Sequence, residues 1–385
     1  MTFGIAAMIM LLFSNSSAQN DTSKIVIGKI LNIKSNILGE NRKIRLYTPD
    51  NYNSSNLAYP VLYLLDGERH FLHVTGIVSF LSSVGKMPNM IIVAIENTNR
   101  MRDLTPTHTI VGYDGKNDSI SLASSGGSEK FYKFINEELI PFVDGNYRTQ
   151  PFRILCGQSL GGLFTTYTLL AHPASFNAYI AISPALWWDD KAILKRTNNF
   201  SLIRPSFLFI SAANEGGLFE QSVLSFKTTF KEHAPTKLEW ISKSYPNEGH
   251  KSVPLIGAFD GLSFIYSGWL LFTDGANDSA YISYEQFLQH YQVLTQKYGY
   301  QINPSEWDMY LFGDRLLKQN KIGEAIDVFG HEVKEYPHST DAYEGLAKAY
   351  MCKGNNELAI KNYKHAIELD PNNASAKYML ESLSK

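Results

Sequence analysis

Cysteine is scarce. The 385 residues contain two, Cys156 and Cys352, which supply neither a disulfide framework nor a Cys-rich metal site. An oxidising compartment stays open to such a chain. Positive charge is not in excess either: 35 Lys and Arg face 37 Asp and Glu, for a formal charge of −2. A surface built to neutralise phosphates needs the opposite balance, so nucleic acid is set aside as a partner. Charged residues make up 19% against 44% hydrophobic, which excludes a disordered chain and a highly charged coil. No later segment has the ~18–20 apolar residues of a membrane span.

The N-terminus is apolar from Met1 to Phe13 and continues as Ser14-Asn15-Ser16-Ser17-Ala18-Gln19. Small residues at Ser16 and Ala18 suit signal peptidase, so residues 1–18 read as a signal peptide cut after Ala18, although no Lys or Arg precedes the apolar run. No Cys stands at the cut to carry a lipid anchor. The mature protein is expected to be exported, periplasmic or secreted, and free of the membrane.

The remainder of the chain divides in two. From about Lys24 to Leu271, short β-rich runs alternate with helical stretches. Strands are expected at Lys43–Tyr47, Pro60–Leu65, Met90–Ile95, Arg153–Cys156, Ala178–Ile182, Ser206–Ser211 and Lys237–Ser242. Helices fit at Val74–Leu81, Ser128–Val143, Gly161–Ala171 and Glu220–His233. Strands separated by helices imply an α/β fold, a mostly parallel sheet with helices on both faces, spanning residues 19–280. Beyond about Ser283 the pattern is helical. Ala325, Phe329 and Pro337 recur as Ala359, Tyr363 and Pro371, each 34 residues on, the period of tetratricopeptide repeats. Residues 306–385 therefore read as a small all-α domain of two such repeats, with Ala374–Leu383 as capping helix and residues 281–305 as a helical connector that packs the pair against the α/β domain. Repeats of this kind offer a surface to a protein partner.

One string carries chemistry. Gly157-Gln158-Ser159-Leu160-Gly161 follows a strand and opens a helix. In that setting G-x-S-x-G places a serine on a sharp turn with Oγ exposed and the next N–H aimed at a developing oxyanion. A serine needs a base, and the chain order serine, acid, histidine selects His250, in the loop after the Lys237–Ser242 strand. Glu215, after the Ser206–Ser211 strand, is the favoured acid, and Glu248, two residues before His250, is its competitor. The second oxyanion donor is expected from Leu64-Leu65-Asp66-Gly67-Glu68: the N–H of Glu68 beside that of Leu160, with Gly67 turning the chain. His70 and His73 lack a third ligand at a recognisable spacing, so no metal is assigned. They read as pocket or packing residues.

Five blocks in order resemble the esterase D / enterochelin esterase family of α/β-hydrolases, which includes mycolyl transferases and feruloyl esterases. They are Tyr63-Leu64-Leu65-Asp66-Gly67, Arg102-Asp103-Leu104-Thr105-Pro106, Phe134-Ile135-Asn136-Glu137-Glu138-Leu139-Ile140-Pro141, Gly157-Gln158-Ser159-Leu160-Gly161-Gly162 and Ser183-Pro184-Ala185-Leu186-Trp187-Trp188. Within that family the chain resembles the IroE-like periplasmic serine hydrolases. The resemblance implies a serine carboxylic-ester hydrolase without cofactor, working through Ser159, His250 and Glu215; some trilactone esterases of that branch use the serine and histidine alone. Trp187, Trp188, Phe71 and Arg102 are expected to line the substrate pocket, rings suiting a catecholate or phenolic acyl group. Siderophore trilactones, feruloyl or acetyl esters of glycans and simpler acyl esters all fit. The rival is a non-catalytic binding protein recruiting partners through its repeats.

Overall fold

The computed structural model describes residues 24–271 and 281–383; the expected signal peptide lies outside them. One eight-stranded sheet organises the first stretch: β1 (Lys29–Ser35), β2 (Glu40–Tyr47), β3 (Tyr59–Leu64), β4 (Ile91–Ile95), β5 (Thr149–Gln158), β6 (Ala178–Ile182), β7 (Ser206–Ala213) and β8 (Leu238–Tyr245). Its order is β1-β2-β4-β3-β5-β6-β7-β8. The β1–β2 and β2–β4 pairs are antiparallel, and from β4 to β8 every pair is parallel. The sequence expectation omitted β1, whose Lys29–Ser35 alternation shows one half-buried face. The strands β3, β4, β6 and β7 are buried along their whole length, as strands covered on both sides must be.

The helices of this half are α1 (Gly67–Ser83), α2 (Arg100–Leu104), α3 (Ser128–Lys133), α4 (Ile140–Asn146), α5 (Leu160–Ala171), α6 (Trp188–Lys191), α7 (Gly217–His233) and α8 (Val253–Ile265). Instead of one helix over Ser128–Val143, α3 and α4 flank a π-helical segment, Phe134–Leu139. Pro141 follows at once, and its missing N–H prevents a regular α-helical ladder there.

Alternate strand residues feed two cores. Tyr63, Leu155, Tyr179 and Leu208 meet α5 and α7 on one face. Leu62, Ile154, Ile180 and Phe209 meet α1 and α8 on the other.

The second stretch is helical throughout: α9 (Tyr284–Tyr298), α10 (Glu306–Lys318), α11 (Ile322–Glu335), α12 (Thr340–Cys352), α13 (Asn356–Leu369) and α14 (Ala374–Leu383). The α10/α11 and α12/α13 hairpins start 34 residues apart, and α14 caps the pair. Phe329 of α11 fills the seam because Gly313 and Gly345 leave room: a Cβ there would lie 2.5 and 2.3 Å from its ring.

The connector α9 joins the halves. Tyr298 donates its hydroxyl to the carbonyl of Ile265 (2.9 Å) and packs its ring on Phe152, Phe207, Tyr266 and Trp269. At its other end Phe287 stacks on Phe312 of α10, centroids 4.3 Å apart. The helical region as far as α12 thus shares one apolar core with the second face of the sheet, and α13 and α14 close a small separate one with Ala347.

Candidate active site

The turn between β5 and α5 holds Ser159 at φ 60°, ψ −119°, a positive φ that costs a residue with a Cβ and persists only where the surroundings impose it. Here they do. The N–H of Ser159 donates to Ile182 O and its carbonyl accepts from Ala185 N, both at 3.0 Å. The flanking glycines supply space: a Cβ on Gly157 would lie 2.4 Å from the Gly161 backbone, and one on Gly162 2.9 Å from Pro184. Ser159 is thereby presented at the carboxyl edge of the sheet, at the start of a helix whose dipole favours negative charge.

His250 comes from the loop between β8 and α8. Its Nδ1 meets Glu215 Oε1, which assigns the Nδ1–H tautomer and leaves Nε2 as acceptor. Glu215, on the loop after β7, is nearly buried (7% exposed), and its Oε2 accepts the hydroxyl of Ser183. Ser183 follows β6 at φ 40°, a second strained serine. Glu248 does not occupy this place; its carbonyl accepts from Asn214 N (2.8 Å), tying the acid and histidine loops together. Ser159 and His250 line the same cleft, of about 640 Å³. No hydrogen bond among the described residues joins Ser159 Oγ to Nε2, which instead lies 3.1 Å from Gln158 Nε2.

Leu160 and Glu68 are first-turn residues of α5 and α1, so each N–H lacks an acceptor four residues back in its own helix. The positive φ of this loop falls on Asp66 (53°), not on Gly67. Gly67 is required for another reason: a Cβ there would lie 2.7 Å from the Ala94 backbone. Asp66 is clamped by Arg100 Nε (2.6 Å) and Nη2 (2.8 Å) and by Asn97 Nδ2 (2.7 Å). Burial alone would raise its carboxyl, but the bonds and charge of Arg100 outweigh that and hold it below the usual carboxylate range.

The cleft walls differ from the sequence expectation. Because α1 starts at Gly67 and not at Val74, its first turns bring Arg69, His70 and His73 to the cleft, which Arg100 and Lys251 also line. Phe71 points the other way, into the core with Leu62 and Leu64. Arg102 is bound to Glu40 (2.7 Å) and Asp103 (2.7 Å), beside buried Arg42, and takes no part in the cleft. Trp188 is 2% exposed and donates Nε1 to Thr107 O (3.1 Å). Trp187 packs behind the cleft on Tyr113 (5.2 Å) and on Phe219 (5.6 Å), which touches the His250 ring (5.0 Å). Burial lowers the imidazoles of His70 and His73, the latter to about 4 with help from its neighbour His70. Sequence reasoning missed Ser183, Gln158, Arg100 and Asp66, each already inside or beside a motif it quoted.

A strained serine at a strand-to-helix turn, a histidine after the last strand and a carboxylate after the strand before it define an α/β-hydrolase. Comparison with known proteins specifies which kind. A model of the putative esterase family matches residues 35–232, just over half the chain, and a tetratricopeptide-repeat model matches residues 347–380. The chain belongs to the putative esterase family, and it is a hydrolase of carboxylic esters. It is 34% identical over 216 residues to the ferri-bacillibactin esterase BesA of Bacillus subtilis, covering 51% of this chain and 75% of that one. It is 30% identical over 177 residues to the siderophore enterobactin esterase of Emericella nidulans, covering 42% and 56%. Among solved structures it is similar to an IroE-like serine hydrolase from Shewanella oneidensis, at 31% identity and a TM-score of 0.70 over 79% of this chain and 98% of that one. That share exceeds what the α/β half occupies, so the likeness runs on into the helical region.

Proposed function

We propose that this protein is an exported serine esterase that opens siderophore-type lactone esters. The observation that carries the reading is the meeting of Ser159 and His250 at one cleft, with Glu215 bonded to the far side of the imidazole. Ser159 Oγ attacks the ester carbonyl as His250 Nε2 takes its proton, while Glu215 holds Nδ1–H and offsets the charge of the imidazolium. The N–H groups of Leu160 and Glu68 receive the oxyanion. His250 returns the proton to the departing alcohol, leaving an acyl-serine that water, activated by the same base, then hydrolyses. Arg69 and Lys251 around the cleft suit an anionic substrate, and a ferri-bacillibactin esterase and a siderophore enterobactin esterase among the relatives point to that class. Export rests on the apolar leader ending in Ser16 and Ala18.

The test compares kcat/KM for enterobactin, methyl ferulate and p-nitrophenyl butyrate on wild type and Ser159→Ala. The alanine variant is expected to lose several orders of magnitude on all three. Wild type is expected to favour enterobactin by well over tenfold; a spread below that, worth about 1.4 kcal/mol, would leave a broad carboxylesterase. Cell fractionation with N-terminal sequencing checks export, a mature start at Gln19 being expected and a cytoplasmic chain with Met1 retained contradicting it.

A further inference from the structure

The acceptor that should serve Ser159 is already engaged. Gln158 Nε2 lies 3.1 Å from His250 Nε2 and 3.0 Å from the carbonyl oxygen of the same residue. One amide, with two N–H groups to give, grips both the ring and the backbone of the base. The loop it grips belongs to no strand or helix, so it has no ladder of its own to fix the imidazole. Gln158 itself is anchored: it is 7% exposed, ends β5, and its carbonyl accepts from Arg100 Nη2 (3.3 Å).

Neutral imidazole has a single acceptor lone pair in the ring plane, and with Nδ1–H committed to Glu215 that lone pair is on Nε2. It cannot take a full hydrogen bond from the Gln158 amide and from Ser159 Oγ at once. We infer that Gln158 is the positioning residue for the base: its amide caps Nε2 in the free enzyme and yields it to Ser159 Oγ when an ester fills the cleft, while the bond to the His250 carbonyl keeps the loop docked. Tightening of a catalytic contact only on substrate binding is common; here the group that holds the place beforehand is identified. The inference rests on the serine-esterase reading and adds a step to it.

Isosteric Gln158→Glu is the informative change. An ionised carboxylate has no proton to give, faces both the Nε2 lone pair and the carbonyl oxygen unfavourably, and favours a protonated ring. The other charged or titratable groups around the base stay as they are: Glu215 on Nδ1, Lys251 beside it, Arg100 from α2, and Arg69, His70 and His73 from α1. The expected result is a kcat/KM lower by roughly tenfold or more at pH 7, an acid limb displaced upward by about one pH unit, and a loss carried by kcat more than by KM. Gln158→Leu keeps the packing and drops the donors; kcat is again expected to fall, with the limb unmoved. Profiles that superimpose on wild type in both variants would overturn the inference. Long-range 1H–15N correlation of the wild-type histidines supplies a check that needs no variant. His250 is expected as the Nδ1–H tautomer with Nε2 unprotonated, and an Nε2–H tautomer would leave the amide nothing to cap. Loss of turnover in Ser159→Ala tests the esterase reading separately, so failure of one and failure of the other are told apart.

Discussion

The two faces of the sheet are covered by different means. On one, α2, α3, α5 and α7 come from crossovers between the strands themselves. On the other, α1 and α8 cover the upper part, and the lower part is closed by α9 and, through it, by the repeat hairpins. Phe152 and Phe207 both pack on Tyr298 of α9. The helical tail is therefore two things: α9 is a structural part of the esterase body, and α10–α14 form a local array that meets the body through Tyr284 and Phe287 on Phe312, Tyr281 on Glu324 and Tyr336 on the Pro304 carbonyl. In the body, contacts join residues far apart in sequence; in the array, each helix meets its neighbours.

The division is broken most directly by truncation. A chain ending at Leu271 takes Tyr298 away from Phe152, Phe207 and Tyr266, and is expected to aggregate or to lose most of its ester turnover. A chain ending at Asn303 keeps α9 and is expected to stay soluble with turnover within about twofold of wild type, since no residue of the array lines the cleft. Turnover measured alongside size-exclusion profiles decides it; equal behaviour of the two chains would dissolve the boundary. Next in size is Tyr298→Ala, which empties a site packed by four aromatic rings and strands the Ile265 carbonyl. It should cost about 3–5 kcal/mol in urea unfolding monitored through activity. Gly345→Ala, whose Cβ would lie 2.3 Å from the Phe329 ring, should cost about 1–3 kcal/mol. That loss belongs in the hydrogen exchange of α10–α13, with kcat unchanged.

Legibility in the sequence obeys the same division. The repeats could be read because their signal is local and periodic: Ala325 and Ala359 are both buried, 34 residues apart. The Ser159 turn could be read because its glycines answer steric demands within a few residues. The cleft walls could be read only at His70 and His73, because the rest depends on which side of a short helix faces inward. Residues two apart on a helix point about 200° apart. Arg100 therefore meets Asp66 while Arg102 meets Glu40 on the other side. Likewise His70 and His73, three apart on α1, face the cleft, whereas Phe71 turns into the core. Ser183 was hidden for a different reason: its role exists only because Glu215 arrives from another strand.

The last comparison sets the halves against each other in pH. Glu332 in α11 is fully buried, and neither carboxylate oxygen has a hydrogen-bond partner among the described residues. Burial, with Glu306 and Asp341 nearby, pushes its carboxyl up to about 8. Its folded pKa lies above the unfolded one, so its contribution to stability is whole at low pH and is lost as pH rises from about 4.5 through 8. His73 in the cleft has the opposite sign: held at about 4 by burial, it contributes fully above about 6.5 and loses that contribution as pH falls through 4. Acid should thus loosen the cleft first, and base the repeats. Glu332→Gln cannot ionise. Its Tm should match wild type near pH 5 and exceed it increasingly toward pH 9, by several degrees, on the order of 4 kcal/mol for a carboxyl raised from 4.5 to about 8. The gain should appear in the unfolding of α10–α14, with ester turnover at 25 °C unaltered across that range. A Tm difference that stays flat with pH would mean that the carboxyl keeps its water in the fold, and the array would then carry no penalty in base to set against that of the cleft in acid.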